Sequence, residues 1–93
     1  MSDEFQQVEL LDLEIESILS FFISILSTKS LQYLGVQIKE GQETEKNLPK
    51  ARLAIDTTSM MVEKLEPLIN QEELSQLKQV ISNLQFAYLR ESK

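Results

Sequence analysis

Seven of the nine residues from Ile18 to Leu26 (ILSFFISIL) are apolar, and this run is the strongest constraint on how the 93-residue chain can fold. It is too short to cross a bilayer, which needs about 20 such residues. Acids stand directly before it and Lys29 soon after, so it reads as a buried core helix. At about 100° per residue the apolar side chains fan over roughly 200°, about twice the stripe that a helix lying on a core requires. Such a helix has to be covered from more than one side. The remaining sector carries Ser17, Ser20, Ser24 and Ser27 at spacings of three and four. Two readings of that line stay open: a solvated face, or a small-residue seam where another helix approaches closely.

The rest of the chain continues the helical theme. Gly and Pro number two each, and strand-type alternation is rare, so the fold class is all-α. The first helix is expected from about Glu9 to Leu34, closed by Gly35, which can adopt the left-handed conformation that ends helices. Val36–Lys46 is polar, contains Gly41 and lacks periodicity, so it reads as a mobile loop near the upper end of ordinary connection lengths. A second helix over 48–66 begins at the N-cap Asn47 with Pro49 in its first turn, and stops before Pro67. One face carries Leu48, Ala51, Ile55, Thr58, Val62 and Leu65, widened by Ala54 and Met61. A third helix over 71–90 starts with a capping-box pair, Asn70 and Glu73, and a staple of Ile69 and Leu74. Leu74, Leu77, Ile81, Leu84 and Tyr88 then recur at threes and fours, as a packing seam requires.

Some apolar residues fall off these faces. Leu53 with Met60, and Phe86 with Leu89, project away from helices that already own an inner face. Together with the fan on the first helix, they present more apolar surface than one three-helix core hides. A domain this short buries only about 60–65% of its unfolded surface, and with neither Cys nor His it has no disulfide or zinc staple. Self-association is the economical account, a homodimer being the commonest closed form. The candidate interface is Phe21, Phe22, Ile25, Leu53, Met60, Phe86 and Leu89. The helical bundle is then completed by a second copy, and an unidentified protein partner is a further expectation.

Charge narrows the function classes. Fifteen acids against nine bases give −6, and residues 1–16 hold six acids with no base, so the remainder is neutral on balance. Residues 1–8 are set apart as an acidic N-terminal segment, with disorder as an open reading, and 9–93 as a single helical domain. A nucleic-acid backbone needs a basic stripe, and anionic membranes disfavour an acidic chain, so no nucleic-acid and no membrane partner is expected. The first residues carry Asp3 and Glu4 where a leader would carry bases, which makes the cytoplasm the default.

Without Cys or His, the usual acyl-transfer constellations and the His-containing di-metal bundle site are unavailable. Glu9, Asp12 and Glu16 line one helical face, which reads as solvated rather than as a metal site, because hard cations need six or more arranged oxygens. Asp56 sits at the edge of the second helix's inner face, where a hydrogen bond to a neighbouring helix is expected. Tyr33 and Tyr88 read as core aromatics with a polar tip. Lys39, Lys46, Lys50 and Arg52 form a loose basic cluster that the acidic N-terminal segment of another copy would complement. No catalytic residue, metal ligand or cofactor is assigned.

One further pattern spans residues 18–90. Phe21-Phe22-Ile23-Ser24-Ile25-Leu26, Leu34-Gly35, Asn47-Leu48 with Ala51, Ile55-Asp56, Glu63-Lys64 and Glu72-Glu73-Leu74 follow one another in an order and spacing that resembles a bacterial family of short helical proteins, domain-of-unknown-function family 1844. The resemblance implies an all-helical domain without a known catalytic role. The chain departs from it before the last helix, where Lys64-Leu65-Glu66-Pro67-Leu68-Ile69 replaces a basic, Gly-containing turn. The functional expectation is a self-associating interaction or adaptor module with no catalysis of its own. Its alternative is a helical carrier holding a small apolar ligand in an enclosed cavity of about 300 Å³ or more.

Overall fold

The computed structural model describes residues 11–36, 41 and 45–93. Three helices carry the fold: α1 (Ile15–Tyr33), α2 (Leu48–Leu65) and α3 (Gln71–Glu91), with one 3-10 turn over Glu66–Leu68. Among the described residues there is no strand. The all-α, three-helix expectation stands.

Helix α1 begins at Ile15 and not at Glu9. Glu14 is its extended N-cap, and its carbonyl accepts from the N–H groups of Ser17 and Ile18 at 3.0 and 3.1 Å. Asp12 lies in a turn and Leu13 in a bend. Helices this short persist where packing holds them, and Leu11 and Leu13 are exposed. The turn at Asp12, the bend at Leu13 and the extended Glu14 interrupt the expected helix, and Glu16 falls within the first turn of α1. Glu9 and the acidic segment 1–8 lie outside the described residues, as does most of the Val36–Lys46 loop.

The other ends follow the local chemistry. Gly35 takes φ +96°; its N–H donates to Gln32 O and that of Val36 to Leu31 O, the paired bonds of a Schellman stop. Asn47 caps α2 by accepting from the Lys50 N–H at 3.1 Å. Asn70 caps α3 by accepting from the Glu73 N–H at 2.8 Å, while its amide donates to the Glu73 carboxylate at 3.2 Å. Pro67 makes the break before α3 a tight 3-10 turn.

The helices run up, down and up, with α2 as the shared partner. It packs most extensively on α1 and less on α3, while α1 and α3 touch little. Two clusters form the core. Ile23, Val62, Leu65, Leu74 and Ile81 fill the end nearer the 3-10 turn, with Leu19, Met61, Ile69 and Leu77 around them. Leu34, Ala51, Ile55 and Leu84 fill the end nearer the loop, with Tyr33 and Tyr88 half-buried against them. The expected inner faces of the second and third helices are therefore the observed ones. On α1 the outcome differs: of the Ile18–Leu26 run only Ile23 is buried, because among the described residues α2 and α3 cover that helix from one side alone.

Candidate interaction surface

Two landmarks establish which way α1 and α2 face. Glu16, Ser17 and Ser20 share an open groove with Leu68, Ile69, Asn70 and Glu73, so the serine flank of α1 is turned toward the start of α3. Arg52, Ile55 and Asp56 share another with Gln85, Tyr88 and Leu89, so that flank of α2 is turned toward the end of α3. The reverse flanks of the α1–α2 hairpin then form one face opposite α3. The Tyr33 ring marks it, with the ammonium of Lys29, from α1, 5.2 Å from its centroid and that of Lys50, from α2, 5.9 Å away.

At helical periodicity this hairpin face carries Ile15, Ile18, Phe22 and Ile25 from α1. Leu53 and Met60 lie at its α2 edge. Phe21 stands at the α1 edge, its ring 5.8 Å from that of Phe22 in an edge-on arrangement. Phe21, Phe22 and Ile25 are 45%, 42% and 46% exposed, and Leu53 and Met60 are more open still. Phe86 and Leu89 are also exposed, but they belong to α3 and fall outside this face. The seven candidate residues thus divide into five on the hairpin and two elsewhere.

The serine line resolves by position. Ser17, Ser20 and Ser24 are exposed and Ser27 is half-buried, with its hydroxyl donating to Ile23 O at 2.7 Å. Close approach occurs at Ser30, which is fully buried and donates to Leu26 O at 2.7 Å. Sequence reasoning passed over Ser30, although it follows Ile23 by seven residues and so continues the core stripe. Thr58, likewise fully buried on α2, donates to Ala54 O at 2.6 Å.

The expected role of Asp56 is corrected. Its carboxylate is exposed and its ion-pair partner, Arg52 Nε at 3.7 Å, is on its own helix. Position 56 sits just past the buried stripe, so its side chain turns outward toward the residue four before it. The basic cluster also separates into different partners. Lys50 lies over Tyr33, Arg52 beside Asp56, and Lys46 Nζ 2.6 Å from a Glu91 carboxylate oxygen; Lys39 is outside the described residues. The hydrogen bond and charge of Lys46 hold the Glu91 carboxyl below its ordinary range, with Arg90 adding to the effect.

Antiparallel topology sorts the charges by end. At the 3-10 end, Asp12, Glu14, Glu16, Glu63, Glu66, Glu72 and Glu73 outnumber Lys64 and Lys78. At the loop end, Lys29, Lys46, Lys50, Arg52, Arg90 and Lys93 outnumber Glu45, Asp56 and Glu91. The remainder of the chain is neutral on balance, as its composition indicates, yet polarised in space.

Among the described residues no group of acids is arranged to hold a metal ion, and no helix is long and apolar enough to cross a membrane. The groove lined by Arg52, Ile55, Asp56, Gln85, Tyr88 and Leu89 has a volume of about 370 Å³ and is open to solvent rather than enclosed. Residues 16–90 match the model of a family described as Domain of unknown function (DUF1844). No curated protein and no solved structure matches the chain.

Proposed function

The chain belongs to the DUF1844 family, and on that premise we propose that it is a cytoplasmic protein–protein interaction module that self-associates and carries out no catalysis of its own. The observation behind this reading is the hairpin face opposite α3, where Phe22 and Ile25 stay more than two-fifths exposed on a helix otherwise committed to the core. Covering a Phe or Ile side chain in full is worth about 1.5–3 kcal/mol, and roughly half of that is still to be gained at each of these positions. A second copy supplies the cover that the chain's own third helix does not. The acidic balance fits work in an aqueous compartment, and among the described residues no helix is long and apolar enough to cross a membrane.

Multi-angle light scattering on the full chain tests the reading. A mass near twice the 10.7 kDa of one chain is expected at micromolar concentration, and Phe22→Asp is expected to halve it. A strictly monomeric wild-type profile ends the proposal. The adaptor role is tested by affinity purification from the native host with mass spectrometry, comparing wild type with a Phe86→Ser, Leu89→Ser variant.

A further inference from the structure

The hairpin face is apolar along its middle and charged at its two ends, with opposite signs. Lys29 and Lys50 are held over Tyr33 at the loop end of this face. Asp12 and the exposed Glu14 stand before the first turn of α1 at the other end, where Lys64 of α2 is the one base that periodicity adds to this face. We infer that two copies pair face to face through the α1–α2 hairpins, running end to end in opposite directions, so that Lys29 and Lys50 of each copy meet Asp12 and Glu14 of the other. The inference rests on the self-association proposed above and adds its face and direction.

Three physical arguments support this arrangement. The first is register. Pairing α1 against its own copy about a twofold axis near Phe22 places position 29 opposite position 15, within reach of the Glu14 carboxylate. The stretch 19–25, centred on Phe22, then faces itself. The second is charge. The alternative twofold axis, parallel to the helices, would bring Lys29 and Lys50 of one copy against the same lysines of the other and stack the two acidic ends. Like charges in contact disfavour that dimer, whereas the crossed arrangement neutralises both ends. The third is area. Nineteen residues of α1 make a face about 28 Å long at 1.5 Å per residue, and two helices at about 9 Å spacing make it roughly 18 Å wide. Two such faces bury on the order of 1,000 Å², the lower bound for a specific interface.

The native chain provides the test. Lys29 and Glu14 are 15 positions apart along one rod, about 22 Å at helical rise, so a zero-length carbodiimide bond between them cannot form within one copy. A mixture of isotopically light and heavy protein, cross-linked and digested, is expected to yield mixed-isotope peptides joining Lys29 or Lys50 to Asp12 or Glu14. Lys29→Glu is expected to weaken the dimer about tenfold, through two symmetry-related pairs, and Glu14→Lys in the same chain to restore it. A dimer in light scattering that gives none of these cross-links, or that tolerates Lys29→Glu unchanged, overturns the pairing while leaving self-association standing. A monomer in light scattering overturns both.

Discussion

Lys46 Nζ lies 2.6 Å from a carboxylate oxygen of Glu91, which ties the residue just before the α2 cap to the last turn of α3. The pair is at the surface, where ion pairs contribute little, but it joins two elements distant in sequence. Its pH dependence has a definite sign. Because Lys46 lowers the carboxyl below its ordinary value near 4.5, the unfolded chain binds that proton more tightly than the folded one. The contribution is complete above about pH 4.5 and is lost as the pH falls through the lowered folded value. Glu91→Gln is therefore expected to reduce Tm at pH 7, and the two proteins' Tm values to converge in acid; a gap that persists at low pH would contradict the assignment.

Leu65 is fully buried among Ile23, Val62 and Leu74. Removing its branched end leaves a void that the surrounding helices fill only in part. Leu65→Ala is expected to cost about 2–5 kcal/mol in urea unfolding. A loss under 1 kcal/mol would mean that this cluster does not hold the turn end together.

The serines of α1 give a matched pair of tests. Ser30 is fully buried, so Ser30→Leu is expected to destabilise by about 1–3 kcal/mol through overpacking. Ser24 is exposed, and Ser24→Leu is expected to stay within about 0.5 kcal/mol. Equal effects at the two positions would show that the serine line has been placed on the wrong side.

Asn70 closes the start of α3 with an accepted bond of 2.8 Å from the Glu73 N–H. Asn70→Ala is expected to cost about 1 kcal/mol, and Asn70→Asp to keep most of the stability, since a carboxylate accepts the same bond and favours the helix dipole. Thermal unfolding followed by circular dichroism distinguishes the two variants.

Much of the fold was legible in the sequence because α2 and α3 are each held by a single inner face, and such a face writes its period into the chain. Asn47, Asn70, Gly35 and Pro67 mark ends whose chemistry acts within a few residues, so they too could be read locally. The start of α1 could not. Upstream of it Leu11 and Leu13 stay exposed, a fact of tertiary structure. Ser30 was missed because a small polar residue carries no apolar signal, even though it stands where the core stripe requires close approach. The division of charge by end was hidden for another reason: residues 12–16, 63–66 and 72–73 become neighbours only when the second helix reverses and the third returns.

The backbone N–H of Asn47 donates to Tyr33 O at 2.8 Å, so the end of α1 and the cap of α2 are hydrogen-bonded directly across the base of the loop. That clasp makes the hairpin largely indifferent to the length of chain suspended from it, since doubling a flexible loop costs only about 0.6 kcal/mol once its ends are held. The site after Gly41, exposed and with open space at its α-carbon, is accordingly a natural port for an epitope or reporter.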